Sequence, residues 1–220
     1  MNRRDFLKGA GAAAIVPAAL PDAIWGSGRN AAAATATSEP AASLIVPPIT
    51  AVVYDERYAD CRLFADALIR QGAVAFPANG DSAQLWYGSL RAHLAQHAGR
   101  VAGLTTYADF SVSQSCGREL SLATLYEGAH DARRSSTNLT HRLRVTGDES
   151  EIAAALTDSV LPWAESLANV LCRAARGASP TTRDSALRNI ATVTTLRSRN
   201  HPGYLTSWLL VPRQMSFVGA

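Results

Sequence analysis

The sequence predicts an α/β fold: a three-layer sandwich around a mostly parallel sheet, with a mixed C-terminal part holding a long helix and a hairpin. Three observations carry this prediction. From residue 49 to 128, short β-rich runs alternate with helical apolar stripes, joined by short connections; strands feeding crossover helices build a sheet covered on both faces. From residue 139 the hydrophobic period changes to two. A long apolar stripe then runs from Ile152 to Leu171 before β-rich segments return.

ITAVVYDE (49–56) reads as the first strand. ERYADCRLFADALIRQG follows with Cys61, Phe64, Ala65, Leu68 and Ile69 on one helical face, and Gly72 as its C-cap. AVAFPA (73–78) is the second strand. Asn79-Gly80-Asp81-Ser82 turns into a helix from Ala83 to His97, with Trp86, Leu90 and Leu94 inward. VAGLTT (101–106) is the third strand. Thr106, with Asp109 three residues on, starts a third helix over Tyr107–Leu120 in the manner of a capping box. SLATLYEG (121–128) is a fourth strand, and right-handed crossovers give the sheet a flavodoxin-like character. In LTHRLRVTG (139–147), Leu139, His141, Leu143 and Val145 alternate with Thr140, Arg142 and Arg144, which predicts a half-exposed edge strand. Asp148, Glu149 and Glu151 crowd the start of the long helix, where acids suit its dipole. Its stripe is Ile152, Leu156, Val160, Trp163, Leu167, Val170 and Leu171, kinked at Pro162. Thr192–Leu196 and Tyr204–Val211 flank SRNHPG as a hairpin, with a helix over 183–196 as the rival reading.

The N-terminus carries the one resemblance. Arg3-Arg4-Asp5-Phe6-Leu7-Lys8 resembles the twin-arginine export signal, with Asn2 where Ser or Thr is commoner. The apolar run Gly9–Leu20 is about a dozen residues long, shorter than the roughly 20 needed to span a bilayer. A charged start, a short apolar middle and a small-residue exit form a removable signal peptide. Ala-x-Ala sites within 31–36 place cleavage after Ala36, so residues 1–36 are the signal, 37–48 a linker and 49–220 one α/β domain. No cysteine lies near the exit, so no lipid or membrane anchor is expected after removal. The resemblance implies a periplasmic or secreted bacterial protein that folds before it is exported.

Removing residues 1–36 takes Arg3, Arg4, Lys8, Arg29, Asp5 and Asp22 from the 21 basic and 18 acidic residues. That leaves 17 arginines, no lysine and 16 acids, a net charge of about +1. Such a balance lacks the basic surplus that nucleic-acid binding needs. Without lysine, Schiff-base and Walker-type phosphate chemistry are excluded from the mature chain. Cys61, Cys116 and Cys172 are odd in number, and Cys61 and Cys116 fall on apolar helix stripes where a free thiol behaves as a small hydrophobe.

In open α/β sheets, ligands favour the crevice beyond the carboxyl ends of the strands. Tyr54-Asp55-Glu56, Asn79-Gly80-Asp81, Thr105-Thr106-Tyr107 and Glu127-Gly128-Ala129-His130-Asp131 converge there. Asp55, Glu127 and His130 are the acid–base candidates, with His130 oriented by a carboxylate. Thr105, Thr106, Tyr107, Asn79 and Asp81 are the ligand-binding candidates, the third helix's N-terminus suiting a small anion. The same residue types also cap helices and make turns. His93 and His97 stand at i, i+4 without a neighbouring Glu or a third ligand, so no metal site is assigned, and no cofactor motif is present: GxSxG and GxGxxG are both absent. Arg133-Arg134 opens a polar loop.

Three roles remain: a ligand-binding or accessory protein with a co-exported partner, a small-molecule enzyme using Asp55, Glu127 and His130, or a structural assembly partner. Replacing Arg3-Arg4 by Lys-Lys is expected to hold the precursor inside the cell; unchanged export in a fractionation assay would overturn the twin-arginine reading.

Overall fold

The computed structural model describes residues 48–78, 80–97, 99–145, 150–158, 160–177, 188–198 and 201–213. The chain order is β1 (Ala51–Tyr54), α1 (Ala59–Ile69), β2 (Val74–Pro77), α2 (Ser82–Tyr87), α3 (Ser89–Gln96), β3 (Val101–Thr105) and α4 (Tyr107–Glu119). It continues with β4 (Leu122–Asp131), β5 (Asn138–Val145), α5 (Ser150–Asp158), α6 (Trp163–Gly177), β6 (Arg188–Leu196) and β7 (Tyr204–Pro212). The seven strands form one open sheet in the order β2-β1-β3-β7-β4-β5-β6.

The expected mostly parallel sheet is corrected here. Only β1 with β2 and β1 with β3 pair in parallel. The pairs β3–β7, β4–β7, β4–β5 and β5–β6 are antiparallel. The cause is the last strand. β7 enters between β3 and β4, so β4 runs in the same direction as β3 without touching it. The expected hairpin of β6 with β7 is likewise absent: both segments are strands, but β6 pairs with β5 and β7 lies two strands away. The rival helix fails over 188–196, which is β6; 183–187 lie outside the described residues. β5 has the expected alternation, with Leu139, His141, Leu143 and Val145 buried and Arg142 and Arg144 exposed, yet it is second from the edge, and β6 is the edge strand.

Strand parity sorts the core into two clusters, one on each face. On the first face Val52, Ala102, Leu104, Tyr126, Leu143, Leu205 and Leu209 meet Phe64 and Leu68 of α1, Ile152 of α5 and Leu167 and Leu171 of α6. On the second face Val53, Val101, Trp208 and Leu210 meet Trp86 of α2, Leu90 of α3 and Phe110 of α4. Trp208 lies flat across Gly103, where a Cβ would come within 2.2 Å of the indole ring; no residue with a side chain fits that strand position.

The helices follow local rules, with three departures. Gly72 after α1 takes φ 97°, the left-handed conformation open to glycine, while Ile69 of the expected stripe is 40% exposed. The helix expected over Ala83–His97 breaks at Gly88 into α2 and α3, since glycine is a weak helix former. The long helix separates before Pro162 into α5 and α6 rather than kinking, and Val160 at the break is fully exposed. Asp81 caps α2, accepting from Gln84 N–H at 3.0 Å. Cys61, Cys116 and Cys172 are all free and buried.

Phe64 is completely buried against the sheet. Phe64→Ala is expected to cost about 3–5 kcal/mol in urea unfolding; a loss under about 1 kcal/mol would refute the orientation of α1.

Candidate functional site

The strands β1, β3 and β4 do end at a common edge, as expected, because two antiparallel steps through β7 restore the direction of β3 in β4. Parity then divides the expected residues between the two faces. Asp55 and Glu127 fall on the α2/α4 side, with Val53 and Trp208 as their same-face neighbours. His130 falls on the α1/α6 side with Tyr126. The three acid–base candidates are therefore not assembled around one void.

Each residue on the α2/α4 side has a local partner. Buried Asp55 is held by Arg57 through Nη2 at 2.6 Å and Nε at 2.8 Å, and accepts the Arg57 backbone N–H at 3.1 Å. Glu127 pairs with Arg144 at 3.2 Å across β4 and β5. Thr105 Oγ1 accepts from Trp208 Nε1 at 3.3 Å. Thr106 caps α4, accepting from Asp109 N–H at 3.3 Å and donating to Asp109 Oδ2 at 2.7 Å, while Ser82 donates to Asp109 Oδ1 at 2.6 Å. The start of α4 is thus occupied by the chain's own carboxylate. Tyr107 is exposed and Asp81 serves as the α2 cap; Asn79 lies outside the described residues.

A different arrangement stands on the α1/α6 side. β4 extends three residues beyond its expected end, which places His130 directly opposite His141 of β5. Their Nδ1 atoms are 2.6 Å apart. His130 Nε2 is 2.7 Å from Ser207 Oγ of β7, and Ser207 Oγ is 2.9 Å from Tyr126 Oη. At the other end His141 Nε2 is 2.7 Å from Thr195 Oγ1 of β6. Four strands thus supply one hydrogen-bonded chain: Tyr126, Ser207, His130, His141, Thr195. Gly128 makes room for it, since a Cβ there would lie 2.2 Å from Tyr126 Oη.

The chain has a preferred direction. The buried Tyr126 hydroxyl satisfies its hydrogen by donating to Ser207, which then donates to His130 Nε2. His130 donates from Nδ1 to His141 Nδ1, and His141 donates from Nε2 to Thr195. Every nitrogen is satisfied with both rings neutral. Burial, reinforced by the neighbouring histidines, holds His130 well below its ordinary value. Burial and His201 lower His141 to about 4, and burial and Arg197 lower His201 to about 4. The Trp163 indole covers the pair, 4.5 Å from His130 and 5.0 Å from His141, with His201 at 6.4 Å.

The chain surfaces in a cleft of about 370 Å³ bordered by Leu156, Leu161, Trp163, Thr195, Leu196 and Ser198. With His141 donating to it, the Thr195 hydroxyl has its own hydrogen free for the cleft. A second cleft of about 350 Å³ lies between Arg91, Leu94, Leu120 and Leu122, with Arg91 its one charged lining residue. The rings of His93 and His97 stack 4.7 Å apart. Among the described residues no group of three or more His, Cys, Asp or Glu is arranged to hold a metal.

The sequence reading singled out His130 but missed His141, Ser207, Thr195, Trp163 and Tyr126. One signal was available: the alternation of 139–145 put His141 on the buried side of its strand.

Residues 1–19 match the family model of the TAT (twin-arginine translocation) pathway signal sequence. The chain carries a twin-arginine signal, and that signal directs it to export by the twin-arginine route. No curated protein and no solved structure matched the chain. Among the described residues, no helix is long and apolar enough to cross a membrane.

The histidine cluster sets an acid limit. In an unfolded chain histidine titrates near 6.5, whereas His141 and His201 titrate near 4 in the fold. Above pH 6.5 both states are neutral and nothing changes. Between 6.5 and 4 the unfolded chain takes up protons that the fold refuses, so stability falls by about 1.4 kcal/mol per pH unit for each histidine. Asp60, raised by burial, acts in the opposite sense but is one group against three. Asp131, lowered to about 2 chiefly by its hydrogen bonds from Arg133, contributes stability that is lost only below about pH 4. Urea midpoints are expected to drop steadily from pH 7 to 5; a flat profile would contradict the neutral, buried histidines.

Proposed function

We propose that this chain is a periplasmic or secreted ligand-binding protein, with the cleft beside Trp163 as its site. The supporting observation is the buried chain from Tyr126 to Thr195, which delivers a directed hydroxyl to the cleft rather than closing on itself. Buried polar networks are costly to build, and this one ends at an opening of a size that suits a small molecule. The export signal adds that the ligand is met outside the cytoplasm. An accessory role beside a co-exported enzyme fits the same cleft, and the polar β5–β6 surface of Arg142, Arg144, Thr192 and Thr194 would suit such a partner.

An enzymatic role is the second reading, supported by the His130–His141 contact alone. That pair can pass a proton along the chain to Thr195 by exchanging tautomers. Asp55 and Glu127 would have to leave Arg57 and Arg144 to join it.

Native mass spectrometry of the exported protein tests the proposal. One small molecule retained per chain, and lost in Thr195→Val, is the expected result. A retained partner chain instead would favour the accessory role, and a bare monomer would overturn ligand binding as proposed.

A further inference from the structure

Five buried side-chain polar atoms lack a hydrogen-bond partner among the described residues: Asp60 Oδ2, His93 Nε2, Trp163 Nε1, His201 Nε2 and Thr206 Oγ1. Three of these belong to one neighbourhood. The Trp163 and His201 rings are 6.4 Å apart, and the indole N–H lies near enough to Asp60 to lower the carboxyl's pKa, though outside hydrogen-bonding geometry. Ser198 ties the group together, donating from Oγ to Asp60 Oδ1 at 2.5 Å and accepting the His201 backbone N–H at 3.2 Å. An unpaired buried polar group costs about 1–3 kcal/mol, so three around one indole point to an absent polar partner.

The identity of the atoms defines that partner. Trp163 Nε1–H only donates. His201 Nδ1 accepts the Gly203 N–H at 3.1 Å, so its neutral ring carries the hydrogen on Nε2 and donates there. Asp60 Oδ1 is taken by Ser198, which leaves Oδ2 as an acceptor. Two donors and one acceptor match an oxygen that accepts twice and donates once, which is a hydroxyl. An ammonium group would leave both N–H groups unmet. A carboxylate would bring like charge to Asp60 and no hydrogen for Oδ2. The Arg197 guanidinium, which would attract an anion, is turned to the carbonyls of Ala132, Ser135 and His201.

Trp163 and Ser198 also line the cleft, so this position lies at its floor. Leu161 and Leu196, 48% and 80% exposed, give the rim an apolar surface, which suits the C–H face of a saccharide or polyol. At about 370 Å³ the cleft is at the small end of the range for ligand sites, about 300–1,000 Å³. We propose that the cleft binds a small neutral polyhydroxylated molecule, seating one hydroxyl among Trp163 Nε1, His201 Nε2 and Asp60 Oδ2. This rests on the ligand-binding reading above and narrows it to a ligand class.

The test is titration of the ¹⁵N-labelled exported protein with methyl glucoside, propionate and propylammonium, following the Trp163 indole N–H resonance. A saturable shift with methyl glucoside alone is expected, weakened at least about tenfold in Asp60→Asn, which removes the acceptor while keeping the shape. A shift with propionate or propylammonium in place of the glucoside overturns the polyol inference and leaves ligand binding standing. A glucoside shift unaffected by Asp60→Asn places the molecule elsewhere and also overturns it. Should Asp60→Asn fail to fold, the comparison of the three probes on the unaltered protein decides. No shift with any probe overturns the inference; ligand binding itself falls only if the native mass spectrum also shows a bare chain.

Discussion

The structure depends on the pairing of one strand, Tyr204–Pro212, with two others that it separates. On one side β7 hydrogen-bonds to β3 and completes the parallel half; on the other it pairs with β4 and opens the antiparallel half. Its side chains serve both faces. Leu205, Leu209 and Val211 enter the core beneath α1 and α6, while Trp208 and Leu210 enter the core beneath α2–α4. Seven of its nine residues are buried in sequence from Leu205 to Val211, the pattern of a strand covered on both faces. Until this strand docks, β3 and β4 have unpaired edges facing each other. The strand comes last in the chain order, so the sheet closes late, around a residue with a further role: Ser207 is the link between Tyr126 and His130.

That placement explains how a charged-capable cluster can sit in an apolar core. A neutral imidazole buried without partners would leave two nitrogens unmet. Here β7 brings a hydroxyl to one histidine and β6 brings another, and the two rings meet each other between them. The arrangement holds at neutral pH because neither ring is charged; a proton on either would set two Nδ1–H groups against each other at 2.6 Å. The core also needs no disulfide: Cys61, Cys116 and Cys172 are free and buried. That agrees with a chain that folds under reducing conditions before it crosses the membrane, the mode of export its signal specifies.

What could be read from the sequence was local, and what could not was mostly pairing. The α1 stripe, the Thr106–Asp109 cap and the alternation of 139–145 depend on neighbours within about a turn or a few strand residues, and each formed as its spacing implied. Strand order depends on which distant segments meet, and nothing within 204–211 says that its partners are 101–105 and 122–131. Reading it as half of a hairpin with 192–196 was the economical choice by chain distance, and the fold takes another. The same limit governed the site. His130 was visible, but its partners come from β5, β6 and β7, and its apparent companions Asp55 and Glu127 reach the same edge on the wrong face.

The two faces of that edge differ in one physical respect that separates a structural cluster from a candidate site. On the α2/α4 side the polar groups answer one another: Asp55 with Arg57, Asp109 with Ser82 and Thr106, Thr105 with Trp208. One atom there, Thr206 Oγ1, is unmet, a deficit that a single buried water satisfies. On the α1/α6 side three unmet atoms of fixed donor and acceptor character surround one indole at the floor of an opening. Residue types alone would have ranked the first side higher, for it holds more carboxylates. Counting which hydrogen-bonding groups remain unused reverses the order, because a group already committed to the fold has nothing left to offer a ligand.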